Sequence, residues 1–222
     1  MKKTKKYLIL SLILLAIAIC YTALVKMIDV QAIGPENSAV GLAIVNGAFH
    51  NKFGFNEMFY KVSKYAGYIP FLLVAFTGIV GLKELMEKKS LSKVDSTIYG
   101  LCGFYVLFAI VYVAFEKIAI NFRPVILDEG LEASFPSTHT MLAICICGSS
   151  MMASKYLIKN ENLRKIFNIC LGILMTVIVI ARTLSGVHWI TDIIGGIIIS
   201  SYLLVLLKTF FAYASNDKEC KH

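Results

Sequence analysis

Residues 7–25 read YLILSLILLAIAICYTALV, an uncharged run of 19 residues closed by Lys6 on one side and Lys26 on the other. A helix crossing the hydrocarbon core of a bilayer needs about 20 apolar residues, with a range near 17–25. Working outward, the same pattern returns at 66–82 with 17 uncharged residues, at 96–115 with 20 and at 133–154 with 22, the last opening on residues that read as loop. Two further runs are short: 166–181 gives 16 residues before Arg182, and 193–207 gives 15 after Asp192. Each must extend through its bounding charge, which sets an ionisable group at a membrane boundary. The expectation is an all-α integral membrane bundle of six transmembrane helices, forming a single membrane domain over 1–222.

Composition supports this and excludes the alternatives. Hydrophobic residues make up 58% of the chain and charged ones only 16%, against about 45–50% and 25% in soluble domains. One water-soluble core cannot hide that much apolar surface. With 4 prolines and no glycine period, neither a disordered nor a collagen-like chain fits. Lys2, Lys3, Lys5 and Lys6 resemble the basic start of a signal peptide. The apolar run is longer than a signal core and no small-x-small site follows it, so it is expected to stay as the first span. Five of the six cysteines lie in apolar stretches, where cysteine acts as a small hydrophobe, and none has metal-ligand spacing.

The charges orient the bundle. Segments 1–6, 83–95, 155–165 and 208–222 hold 15 of the 22 Lys and Arg residues, leaving 7 for the other ends. The positive-inside rule then places both termini in the cytoplasm, the short start 1–6 and the tail 214–222 included. This clustering between apolar runs reads the net charge of +8 as topology, with no nucleic-acid partner. Connections 27–65, 116–137 and 182–190 face the extracytoplasmic side of a multi-pass cell-membrane protein. Segment 27–65 carries Gly34-Pro35-Glu36-Asn37-Ser38 and then Phe49, Phe53, Phe55, Phe59 and Tyr60. It reads as one or two short interfacial helices on the outer face. A passive anchor is the favoured role and a lid the competing one.

Polar residues gather over 116–192, all at the outer face. In His188-Trp189-Ile190-Thr191-Asp192, histidine and aspartate four apart share a helix face. The carboxylate can hold one ring nitrogen and leave the other free to attack, or it can simply cap the helix. Phe135-Pro136-Ser137-Thr138-His139-Thr140 precedes an apolar helix. There Ser/Thr makes either an ordinary N-cap or an anion site of backbone N–H groups, and His139 can donate a proton. Lys117 and Arg123-Pro124 supply cations suited to phosphate, or else snorkel at the interface. Asp128, Glu129 and Glu132 read as a solvated acidic loop with no divalent-ion cluster, so no metal and no cofactor is expected.

In order, Lys117…Arg123-Pro124, Pro136-Ser137-Thr138-His139 and Ala181-Arg182-x5-His188-x3-Asp192 resemble the three-part signature of the type 2 phosphatidic acid phosphatase superfamily. Three positions depart from it: Glu116 holds the family's lysine position, Thr138 its glycine and Ala181 its serine. The resemblance implies a metal-free membrane lipid phosphatase with the bilayer as its medium. His188, aided by Asp192, forms a phosphohistidine, and His139 protonates the leaving oxygen and then activates water. Arg123, Arg182 and Lys117 neutralise the phosphate oxygens, with Ser137, Thr138 and local N–H groups completing the cradle. Polyprenyl diphosphate, phosphatidic acid and phosphatidylglycerol phosphate remain open as substrates. A lipid phosphotransferase and a catalytically weak lipid-phosphate binder are the competing readings.

Overall fold

A computed structural model describes residues 2–90, 93–127 and 130–220, without the side chains of 216–220. The described residues form helices α1 (Lys2–Met27), α2 (Ala43–Phe53), α3 (Glu57–Ala66), α4 (Ile69–Lys88), α5 (Ser96–Ile118), α6 (Thr138–Leu157), α7 (Glu161–Leu184) and α8 (Ile190–Cys220). A short 3₁₀ turn, Pro35–Asn37, lies before α2. Only isolated β-bridges accompany them among the described residues. Six segments are long and apolar enough to cross a membrane: Lys2–Met27, Glu57–Lys88, Ser96–Ile118, Thr138–Leu157, Glu161–Leu184 and Ile190–Ser215. The chain is a multi-pass, all-α membrane protein. The two short runs extend as the sequence required, α7 through Arg182 and α8 back through Asp192.

Burial separates the centre from the rim. Half of each apolar window of α6 and α8 is buried, against 17–22% in the other four spans. The outer helices turn large apolar side chains such as Leu12, Phe76, Ile110 and Ile173 outward, where only lipid makes such exposure favourable. α1 buries Ser11, Ala18 and Val25, one residue per two turns. That narrow stripe packs on α8, and its small members allow close backbone approach. Leu101 and Phe104 of α5, Met141 and Cys145 of α6, and Ile199 and Leu203 of α8 meet in the central apolar cluster.

Segment 27–65 is fastened to the bundle rather than lying passively beside it. Asn46 donates to Thr191 Oγ1 at 2.9 Å and accepts from the Thr191 N–H at 3.3 Å, tying α2 to the first turn of α8. α3 packs along α7, and its start is capped by the Asn56 side chain, which accepts from the Phe59 N–H. The passive-anchor expectation is corrected on this point. An amphipathic helix offers its polar face to whatever polar partner is buried nearby, and here that partner is Arg182. Gly186, at φ +68°, turns the chain from α7 toward α8, and a Cβ on it would stand 1.8 Å from the Gly54 carbonyl oxygen. Glycine is required there both by the backbone angle and by the close approach.

Candidate active site

The site side chains come from several elements. His188 lies in the loop between α7 and α8 and Asp192 in the first turn of α8. The His188 Nδ1 and Asp192 Oδ2 stand 3.6 Å apart, with side chains 1% and 0% exposed. That is a close electrostatic pair but longer than a hydrogen bond. Asp192 Oδ2 instead accepts from the Trp189 N–H at 3.0 Å, which reaches back to the helix start in the manner of a capping box. The capping bond is formed, while the imidazole lies beside the carboxylate without a hydrogen bond to it.

Asp192 Oδ1 accepts from Asn121 Nδ2 at 3.3 Å, and Asn121 Oδ1 accepts from the Gly41 N–H at 3.0 Å. Asn121 is fully buried and was not singled out from the sequence. Its signal was available, because it is the one uncharged polar side chain between Lys117 and Arg123.

The Ser134 backbone lies next to the His188 ring, yet neither ring nitrogen has a well-formed hydrogen bond. Burial, followed by the neighbouring Arg182, Arg123 and His139, holds His188 well below the usual histidine range. That direction favours the neutral ring, which keeps a nitrogen lone pair.

Arg182, in the last turn of α7, is 1% exposed. Its Nη1 donates to Ser63 Oγ at 3.4 Å, and its guanidinium lies 5.7 Å from the Tyr60 ring centroid. Among the described residues no carboxylate pairs with it, and its Nε is buried without a partner. A buried cation so poorly neutralised is costly unless an anion joins it. Arg123 pairs with Glu132 at 2.7 Å, and the two residues are also joined by an N–H···O=C bond from Arg123 to Glu132 at 3.0 Å. Glu132 is thus no part of a solvated acidic loop: it is the counter-ion that holds Arg123. Asp128 and Glu129, the rest of that expectation, lie outside the described residues.

Ser137 occupies the N-cap position of α6 without making a side-chain cap. Its hydroxyl accepts from Thr140 Oγ1 at 3.0 Å, and its N–H donates to the Asp192 carbonyl at 3.0 Å. The first N–H groups of α6 are left uncapped by that side chain, as an anion cradle requires.

A cavity of about 360 Å³ brings Arg123, Arg182 and His139 together with Glu132, Tyr60 and Lys64. Lys117 is not on it. Like Glu116, it is exposed on the last turn of α5. The third cation at the cavity is Lys64 of α3, which the motif spacing could not indicate because it lies outside the three blocks. The face that carries it also holds Tyr60, Ser63 and Gly67, spaced at one turn. A Cβ on Gly67 would come within 3.1 Å of His139 Cδ2. A second, apolar cavity of about 410 Å³ is bounded by residues of α4, α5 and α6, including Val74, Phe108 and Leu142. It shares Phe71 and His139 with the first, and Thr138 lines it. His188 and Asp192 sit behind these walls, not on them. No cluster of three or more His, Cys, Asp or Glu side chains able to hold a metal occurs among the described residues.

The architecture and site define a class: a multi-pass helical protein with a buried histidine–aspartate pair beside an arginine-lined anion cavity. Residues 70–216 match the PAP2 superfamily, and the chain belongs to it. It is 29% identical over 99 residues to phosphatidylglycerophosphatase B of Bacillus subtilis (strain 168), a match covering 43% of this chain and 46% of that protein. The match thus spans less than half of that relative's length. The crystal structure of a transmembrane PAP2-type phosphatidylglycerolphosphate phosphatase from Bacillus subtilis superposes with a TM-score of 0.62 at 19% identity. That superposition covers 91% of this chain and 96% of the other, and supports a shared fold.

Proposed function

We propose that the protein is a lipid phosphatase that hydrolyses a phosphate or diphosphate ester of a membrane lipid. The observation that carries this reading is the junction of two cavities at His139. One is cationic, with room for a phosphate-bearing headgroup, and the other is apolar and bounded by spanning helices. An amphiphile seated across both puts its phosphate among Arg123, Arg182 and Lys64, its chain between α4, α5 and α6, and its ester oxygen next to His139. The phosphatidylglycerophosphatase name of the relative supports phosphatidylglycerol phosphate as one substrate. Phosphatidic acid and polyprenyl diphosphate present the same group.

In the proposed reaction, Nε2 of His188, the nitrogen turned from Asp192, attacks phosphorus in line. The P–O bond to the leaving group breaks as the P–N bond forms, and His139 gives its proton to the departing oxygen, that of the alcohol from a monoester or of the lipid phosphate from a diphosphate. His139 then takes a proton from water, whose oxygen attacks the phosphohistidine, and the P–N bond breaks to release phosphate. Asp192 stabilises the imidazolium, with Asn121 as its positioning partner. The guanidinium groups and Lys64 hold the equatorial oxygens, the role cations play in phosphoryl transfer generally. His188 is buried, so the substrate must part the wall in front of it to react. The basic asymmetry of 15 against 7 supports a site facing the extracytoplasmic side.

Purified protein is expected to release phosphate from a panel of lipid phosphates in the presence of a strong chelator. His188→Ala should abolish release and the trapped phosphohistidine with it. Activity lost in chelator and restored by a divalent ion, or a His188→Ala variant with near-normal turnover, would refute the mechanism. Transfer of the phosphoryl group to an added lipid alcohol in preference to water would favour the phosphotransferase reading.

A further inference from the structure

A cavity of about 730 Å³ lies at the end of the bundle opposite His139. α6 connects the two: His139 is in its first turn, and Lys155, on this far cavity, is 16 residues later, about 24 Å along the axis. Lys2 and Lys3 of α1, Lys155 of α6, Arg164 of α7 and Lys208 of α8 all line it. Among the described residues no carboxylate does so.

The arrangement is more specific than a basic membrane face. Three other cations of this end are neutralised one turn away on their own helices, while Lys5, Lys6, Lys89, Lys93 and Lys159 have no ion pair among the described residues and do not line the cavity. Lys88 pairs with Glu84 at 3.2 Å, Lys165 with Glu161 at 3.4 Å and Lys83 with Glu87 at 3.9 Å. None of the five cavity cations has a carboxylate within ion-pair distance among the described residues. Two are held in place by aromatic rings instead: Lys208 lies 4.7 Å from the Tyr7 ring centroid, and Lys155 lies 4.6 Å from that of Tyr156. Five like charges from four helices therefore face one volume, and among the described residues no counter-charge faces it with them. Met151, Met152 and Phe211 form its apolar wall, and the uncharged run of α1 begins at Tyr7 on its rim.

We infer that this cavity binds the phosphodiester headgroup of an anionic phospholipid from the leaflet on the side of the two termini, distinct from any substrate at the His139 end. Basic pockets between spanning helices at this depth suit such headgroups. The phosphate neutralises the lysines and Arg164, and the acyl chains run back over the methionines and Phe211. The bound lipid clamps α1, α6, α7 and α8 together. The inference is independent of the proposed reaction, because its readout is binding.

The test uses the full chain in an uncharged detergent, with thermal unfolding followed as phosphatidylglycerol, phosphatidylcholine or inorganic phosphate is added. Phosphatidylglycerol should raise the midpoint, phosphatidylcholine should not, and the gain should shrink with added salt. The combined Lys155→Gln, Arg164→Gln, Lys208→Gln variant should lose the gain while retaining its turnover at the far site. An equal response to phosphatidylcholine, or an undiminished gain in the variant, would overturn the inference. Full reproduction by inorganic phosphate would make this a free-anion site and overturn the lipid assignment. Should the variant fail to fold, a photoreactive phosphatidylglycerol on the native chain decides the matter. Crosslinks at 151–156 and 208–215 support the site, and crosslinks confined to 60–68 and 123–139 refute it.

Discussion

Lys64 and Lys117 illustrate how a residue's place in a motif and its place in space can part company. Lys117 is one position beyond the family's lysine and stays exposed at the end of α5. Lys64, far from any motif block, shares a cavity with Arg123 and Arg182. The charge is expected to matter where it faces the phosphate. Lys64→Ala should lower kcat/KM by roughly tenfold or more, since a charge-assisted contact contributes about 1.5–3 kcal/mol, and Lys64→Arg should recover part of it. Lys117→Ala should change little, and steady-state phosphate release by the three variants checks both. A large loss in Lys117→Ala with none in Lys64→Ala would restore the motif lysine to the site.

A second residue-level expectation concerns protonation. Burial, Arg182, Arg123 and His139 all oppose a charged His188. The folded chain thus binds that proton more weakly than the unfolded chain does. Its contribution to stability is present above the ordinary histidine value of about 6.5 and is lost as pH falls below it. The ring should remain neutral at about pH 6, read from the NMR shifts of labelled His188; imidazolium shifts at that pH would contradict the buried geometry.

At the scale of elements, the loop between α7 and α8 and the helix α3 decide the site. The loop must place His188 within 3.6 Å of Asp192 while passing against Gly54. Gly186→Ala adds a methyl group in left-handed backbone and into the Gly54 carbonyl. It should cost at least about 1–3 kcal/mol and reduce turnover more than the lost folded fraction explains. Thermal unfolding and phosphate release, measured together, check this; an unchanged midpoint would show that the loop yields easily. The acidic loop and segment 27–65 were only partly legible beforehand. Glu132 finds Arg123 across a nine-residue excursion, and Ser63 finds Arg182 across 119 positions. No local pattern encodes pairs of that kind.

At the scale of the whole molecule, six apolar spans set the cationic and apolar cavities of the site at one end and the unneutralised basic cavity at the other. The orientation proposed from the basic asymmetry can be tested directly. A reporter fused after Lys221 should behave as cytoplasmic, and a cysteine replacing Glu129 should label with an impermeant reagent from outside. Labelling only after permeabilisation would reverse the topology and move the chemistry to the inner leaflet.

The sequence by itself determined the number of spans, because bilayer thickness demands a run of apolar residues and charges interrupt it. The spacing of four also pointed to His188 and Asp192 as neighbours, and the structure sets them 3.6 Å apart with His188 in the loop ahead of α8. The three motif blocks, 117–124, 136–139 and 181–192, were legible because each is a short contiguous stretch of 12 residues or fewer. Only the tertiary structure decided which cations share a cavity with His139, what supports Asp192 and what neutralises Arg123. Lys64, Asn121 and Glu132 acquire those roles by packing between segments distant in the chain. A buried charge takes whichever partner the bundle brings near, and that choice is made in space.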